Sequence, residues 1–194
     1  KPDIGILTNI GDAHQENFKT KKQKTEEKLK LFKGVKKLIF RVDDKPTAIT
    51  ISKFCQKHNI EEISWTLEKG NAAIRFEKSA ENGMTKINSD YKGRKYQFAI
   101  PYTDDSAIEN ACHCFAACTL LLRSSGTILP VFKELSPLAM RLEIKQGVNN
   151  CLLINDYYNS DLASITIAMK VLHQQAKKSH LKKQVILSDV KQTG

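Results

Sequence analysis

Apolar residues along the 194 positions of the chain change their spacing from stretch to stretch, and each spacing predicts a different element. Near the N-terminus they form short continuous runs: "DIGILTNI", closing on Gly11, then "KKLIFRVDD" and "EISWTL". Runs of this length and content predict buried strands, the second leaving through an Asp-Asp-Lys-Pro turn. Between the runs the spacing turns helical. In "TEEKLKLF", Thr25 to Phe32, Leu29 and Phe32 face inward and Gly34 stops the helix, and "ISKFCQKHN" reads as a second helix. From Ala72 to Tyr102 apolar and polar residues alternate. "AAIRFE", "MTKINS" and "KYQFAI" read as strands, separated by the hairpin turns Asn82-Gly83 and Lys92-Gly93.

A capping box, Ser106 with Glu109, predicts a helix running to about Arg123, with Gly126 just beyond it. After "TILPVFKELSPLAMRLE" the pattern restarts. "CLLIND" reads as a strand leading into a helix capped near Ser160, and "KQVILSD" as a further buried strand. Strand, helix, strand predicts the opening of a βαβ unit with a parallel sheet. The expected class is α/β in two domains, 1–134 and 135–194, with the border near Pro130 to Pro137.

Composition adds little to this picture: 41% hydrophobic and 27% charged residues suit a globular chain that can bury a core. No apolar run reaches the roughly 20 residues that span a bilayer, and no signal peptide is read, so no membrane association is expected. The chain begins "KPDIG" without methionine and closes on "SDVKQTG", so it is read as part of a longer polypeptide. Among its five cysteines, Cys112, Cys114 and Cys118 with His113 raise a metal reading. On a helix residues 112 and 114 point to different faces, and no CxxC occurs, so these thiols are read as small buried hydrophobes in a reducing cytoplasm.

Charge changes the picture more. The net charge is +10, and residues 19 to 37 hold nine lysines against Glu26 and Glu27. A second lysine group runs from Lys170 to Lys191. Such patches suit phosphate-bearing partners. The aromatic and arginine interleaving that stacks bases is absent there, so a small anionic substrate explains the charge as well as a polynucleotide does, and nucleic acid is not expected. A solvated helix face explains it too.

Four clusters stand out in order along the chain: "TNIGDAHQENF" with Lys28, "SAIENACHCFAA", "AMRLE", and "INDYYNSDLAS". Fourteen residues separate His14 from Lys28. Taken together they resemble the Mur ligase family of peptidoglycan synthesis. Within it they are most similar to the branch that adds D-alanyl-D-alanine to UDP-N-acetylmuramoyl-tripeptide. The resemblance covers the whole chain, as most of an ATP-binding central domain with a β-hairpin section, then the start of a Rossmann-like C-terminal domain. It implies a cytoplasmic, ATP-dependent amide ligase of cell-wall synthesis, serving cell shape and division. There a substrate carboxylate takes the γ-phosphate of ATP and the amine of D-alanyl-D-alanine then displaces phosphate. Magnesium and basic side chains offset the repulsion of the two anions.

The same resemblance implies the site. His14 matches a magnesium ligand, and Lys28 a lysine that in several relatives is carbamylated and so becomes an anionic metal ligand; an unmodified Lys28 fits the sequence equally. Asn9 is assigned to the substrate and Asn110 to adenine, whose edge needs both donor and acceptor. Arg141 is assigned to the ATP phosphates and Asp156 to the ribose side, while Tyr158 and Asn159 carry the branch signature on the substrate side. Three departures stand against the pattern: Ser106-Ala107 replaces a His-Asn pair, Met140 replaces glycine before Arg141, and no G-x-x-x-x-G-K-[ST] phosphate loop occurs. In the family that loop, and the domain holding the UDP moiety, precede this segment, so the 194 residues alone are expected to be inactive. Some relatives are fused to an alanine racemase, which the sequence neither shows nor excludes. The alternatives are a folylpolyglutamate synthase-like ligase and a non-catalytic basic module for polyanions.

Overall fold

A computed structural model describes residues 2–11, 17–121, 129–136, 142–157, 162–179 and 181–187. They divide into two compact units, one of residues up to 11 and from 17 to 135, the other from 136 onward.

The first unit is a mixed α/β layer around one six-stranded sheet in the order β1-β2-β3-β4-β5-β6. The strands are β1 (Ile4–Leu7), β2 (Lys37–Arg41), β3 (Glu61–Thr66), β4 (Ile74–Glu81), β5 (Met84–Tyr91) and β6 (Arg94–Ile100). From β1 to β4 neighbours run parallel, and from β4 to β6 antiparallel. The parallel part requires crossovers, which α1 (Lys21–Leu29) and α2 (Lys45–His58) supply. No helix links β3 to β4, because only Trp65 with Ile74 and Thr66 with Arg75 pair. β4 starts where β3 ends and carries the sheet onward in the same direction.

The first two helices start earlier than their apolar spacing predicts. Thr20 caps α1 by accepting from the Gln23 N–H at 3.1 Å, and a polar first turn leaves no apolar trace. Asp44 precedes α2, with Pro46 in the first turn, where its missing N–H costs nothing. β2 explains why "KLIF" is continuous. Leu38 and Phe40 enter one core with Leu7, Leu29, Ile51 and Cys55, while Ile39 enters the other with Trp65, Phe76 and Phe115. In the meander, Asn82 (φ 52°) with Gly83 (φ 78°) and Lys92 (φ 53°) with Gly93 (φ 74°) form the two-residue turns, both residues left-handed as the strand twist demands.

The last helix of this unit, α3 (Asp105–Leu121), is not opened by the Ser106 and Glu109 box. Asp104 caps it, its Oδ1 accepting from the Ala107 N–H at 2.8 Å. The Glu109 carboxylate is engaged by Arg41 at 3.0 Å. A long-range ion pair therefore takes the side chain that local spacing assigned to the cap.

In the second unit β7 (Glu143–Gln146) pairs antiparallel with β8 (Leu152–Asn155), and α4 (Leu162–Ser179) follows. The expected strand within "KQVILSD" does not form among the described residues. Residues 181–187 carry no ladder, and Ile186 is 93% exposed. An apolar run becomes a strand only where a neighbour satisfies its N–H and C=O groups, and none of the described strands lies beside this one. β8 finds its partner in an antiparallel hairpin, which periodicity alone cannot distinguish from a parallel pair.

Candidate active site

Parallel strands present ligand sites beyond their carboxyl ends. Here those ends carry Thr8, Arg41, Trp65 and Thr66, with α3 packed behind them. The segment Thr8–Gly11 leaves β1 with Ile10 buried (7% exposed) and Asn9 exposed. Two buried side chains hold its two ends. His113, 3% exposed, places Nε2 3.1 Å from the Thr8 carbonyl, and Lys24, 2% exposed, donates from Nζ to the Gly11 carbonyl at 2.6 Å.

The His113 tautomer follows from its other partner. Trp65 Nε1–H is a donor only and lies 3.1 Å from Nδ1, so Nδ1 accepts and Nε2 carries the proton given to Thr8. Burial pushes the imidazole pKa down to about 4, with the Thr8 carbonyl opposing and Arg41 adding to the fall. The ring is neutral at pH 7. Around Trp65 the Arg41 guanidinium sits 5.5 Å from the ring centroid, bonds Asp43 at 2.5 Å and reaches Glu109. Asp43 also accepts from the Leu67 N–H at 3.2 Å and from the Thr66 hydroxyl. Burial pushes the Glu109 carboxyl up, and Arg41 opposes that shift.

Of the expected site residues, Asn9, Lys28, Asn110 and Asp156 are described; His14, Arg141, Tyr158 and Asn159 lie outside the described residues. Asn9 and Asn110 are exposed in the same unit, one after Thr8 and one after Glu109; the His113 contact to Thr8 connects the segments that bear them, and Arg41 ties Glu109 to β2. Lys28 is exposed on α1, one turn beyond buried Lys24, and makes no ion pair among the described residues. Asp156 follows β8 and accepts from the Leu142 N–H at 3.2 Å, steadying a left-handed residue (φ 47°) directly after Arg141.

His113 entered the sequence reading only as a partner for cysteines, and Lys24, Trp65, Arg41 and Asp43 were not among its candidate site residues. One signal was available: Glu109 and His113 stand four apart on a helix face that also buries Ile108 and Cys112. The reading of the clustered thiols as buried is corrected in part. Cys112 is buried and its thiol is pushed up by burial, but Cys114 is exposed and Cys118 half-buried, since α3 turns them outward. The lysine-rich stretch is largely matched by carboxylates. Lys21 pairs with Asp44, Lys30 with Glu27, Lys36 with Asp3 and Lys37 with Glu61.

A six-stranded sheet, parallel from β1 to β4 and antiparallel from β4 to β6, with α3 packed on it, makes this unit a mixed α/β domain. Residues 1–118 match the Mur ligase middle domain, and the chain belongs to that family. It is 23% identical over 195 residues to the UDP-N-acetylmuramoyl-tripeptide--D-alanyl-D-alanine ligase of Bacillus subtilis (strain 168), covering 100% of this chain and 40% of that protein. A MurF crystal structure from Acinetobacter baumannii superimposes with TM-score 0.74 at 21% identity, covering 90% of this chain and 38% of that one. The Thermotoga maritima MurF ligase in complex with ADP gives 0.68 at 17% identity, covering 89% and 39%. The chain thus spans about two fifths of the length of these relatives.

Proposed function

We propose that this chain is the central part, with the start of the C-terminal part, of an ATP-dependent ligase that adds D-alanyl-D-alanine to UDP-N-acetylmuramoyl-tripeptide. The observation that carries it is the segment Thr8–Gly11, fixed by buried side chains beyond a parallel strand, with exposed Asn9 on it and exposed Asn110 on the helix bonded to it. The alignment of the Bacillus subtilis ligase over the whole chain supports the same reading. We set the border between the two domains at 134 and 135; the division of contacts after residue 135 supports it.

In this reading Asn9 orients the substrate and Asn110 reads the adenine edge with its paired donor and acceptor. Arg141 takes phosphate oxygens in its planar fork, Asp156 faces the ribose, and Tyr158 and Asn159 line the substrate side. The substrate carboxylate oxygen bonds to the γ-phosphorus as ADP leaves. The neutral amine of D-alanyl-D-alanine then attacks the acyl carbon, loses a proton, and phosphate departs. Magnesium, when bound, offsets the charge of the converging anions. Exposed Lys28, with no described ion-pair partner, fits that need if carbamylated, together with His14.

The test is substrate-dependent phosphate release by the full-length polypeptide. It should require the muramoyl tripeptide and D-alanyl-D-alanine together; release driven by pteroylglutamate and glutamate instead would overturn the choice of ligase. The role of Lys28 is read separately. Acetate should partly restore Lys28→Ala by filling the vacated anionic site, and rescue by alkylamines alone would make Lys28 a cation for phosphate.

A further inference from the structure

The Thr8–Gly11 segment is gripped from both ends by side chains that are otherwise out of place. A lysine and a histidine, 2% and 3% exposed, are each costly to bury unless a specific bond is made. Both make a bond to a backbone carbonyl of the same four-residue segment: His113 from α3 to Thr8, and Lys24 from α1 to Gly11. Lys24 Nζ also lies 5.9 Å from the Phe18 ring centroid. His113 is in turn fixed by Trp65, whose ring meets it edge-on at 4.8 Å between centroids. Ile10 anchors the middle of the segment in the core with Leu7, and Asn9 is left exposed. An apolar side chain at either position would pack, yet would leave a carbonyl without its donor.

We propose that His113 and Lys24 are positioning residues, a two-sided clamp that holds the Thr8–Gly11 segment so that Asn9 meets the substrate in a fixed pose. The proposal rests on the ligase reading for what Asn9 meets, but not for the clamp itself. His113 supplies the donor on the side of the helix that carries Asn110, so the clamp also sets Asn9 relative to that helix. Lys24 fixes Gly11, from which the segment bearing His14 departs.

Two substitutions separate the bonds of His113. Asparagine reproduces the Nδ1 position, keeping an acceptor for Trp65 and losing the donor to Thr8; glutamine reproduces the Nε2 position and does the reverse. In the 194-residue chain, amide hydrogen exchange at Asn9 and Ile10 should quicken about fivefold in His113→Asn and in Lys24→Met, the size expected for one lost hydrogen bond. His113→Gln and Lys24→Arg should stay within about twofold of the parent. Imidazole ¹⁵N shifts of the unsubstituted chain should show the proton on Nε2. In the full-length polypeptide, His113→Asn should lower kcat/KM for the muramoyl tripeptide about fivefold and leave the KM for ATP unchanged, while His113→Gln restores it. Equal exchange in His113→Asn and His113→Gln, or a proton on Nδ1, overturns the clamp whatever the protein catalyses. Quickened exchange with unchanged kcat/KM overturns its role in placing Asn9. The expected exchange pattern in a protein with no peptide-ligase activity overturns the ligase reading and leaves the clamp standing.

Discussion

The two halves of the six-stranded sheet are built on different physics. The meander β4–β6 is held by aromatic packing and turn geometry: Phe115 stacks on Phe98 at 5.1 Å and meets Phe76 edge-on at 5.5 Å, while the two hairpin turns set the register. The carboxyl ends of β1–β3 are held by buried and half-buried polar contacts instead. His113, Trp65, Arg41, Asp43, Glu109 and Lys24 bond one another or backbone carbonyls across separations of up to 105 residues. Apolar packing tolerates exchange of like for like. A buried hydrogen-bonded group tolerates almost none, because the partner left behind keeps its desolvation cost. The half that needs fixed geometry is the half built from partners that cannot be exchanged.

The sharpest way to break this comparison is to remove a residue that belongs to both halves. Trp65 packs on Phe76 and bonds His113. Trp65→Ala should cost about 3–5 kcal/mol in urea unfolding, as for a large core aromatic. Trp65→Phe keeps most of the packing and loses only the N–H, so it should cost about 1–2 kcal/mol, the penalty of an unsatisfied buried acceptor. Equal losses from the two substitutions would show that packing alone holds this position.

The polar half should also answer to pH. The His113 pKa falls from 6.5 in the open chain to about 4 in the fold, so the unfolded state takes up the proton first. Stability from the buried neutral ring is complete above pH 6.5 and is lost as pH falls toward 4, by up to about 3 kcal/mol. Glu109, its carboxyl raised by burial, works in the opposite sense and offsets part of the loss at the acid end. His113→Gln should flatten the profile between those pH values, and an unchanged slope would assign the pH dependence elsewhere.

The meander should respond to turn geometry. Gly83 stands at φ 78°, where an L side chain is strained, so Gly83→Ala should cost about 1–2 kcal/mol in thermal or urea unfolding. It should leave exchange at Asn9 untouched. A shift at Asn9 would mean the two halves are mechanically one.

This division also marks what the sequence disclosed. The meander was legible to its turns, because alternation and the Asn-Gly and Lys-Gly pairs are local signals read over a few residues. β1, β2 and β3 were legible as short apolar runs for the same reason. The clamp was not. Nothing near Thr8 points to His113, and a lysine within a lysine-rich stretch carries no mark that it is the buried one. Asn9, Lys28 and Asn110 were named through resemblance and are exposed in the fold; only the fold discloses what holds the segments that bear them. In the second unit the helix α4 was legible, but whether an apolar run pairs depends on neighbours that periodicity does not contain. Residues 181–187 show this.

The smallest effect tests where a local rule yielded to the long-range network. Local spacing gives the start of α3 to Ser106 with Glu109, whereas the fold gives it to Asp104, whose Oδ1 takes the Ala107 N–H at 2.8 Å. Asp104→Ala should therefore cost about 1 kcal/mol, the usual value of an N-cap. Ser106→Ala should cost nothing measurable and could even help, alanine being the better helix former by a few tenths of a kcal/mol. Glu109→Gln then separates the two claims on the glutamate. Glutamine can serve a capping box as well as glutamate does, but it cannot neutralise Arg41. If Glu109 belongs to the network, Glu109→Gln leaves Arg41 with Asp43 as its only charged partner among the described residues, and the loss should exceed that of Asp104→Ala. A loss from Ser106→Ala equal to that from Asp104→Ala, with Glu109→Gln silent, would return the helix start to the local box and detach α3 from the polar half of the sheet.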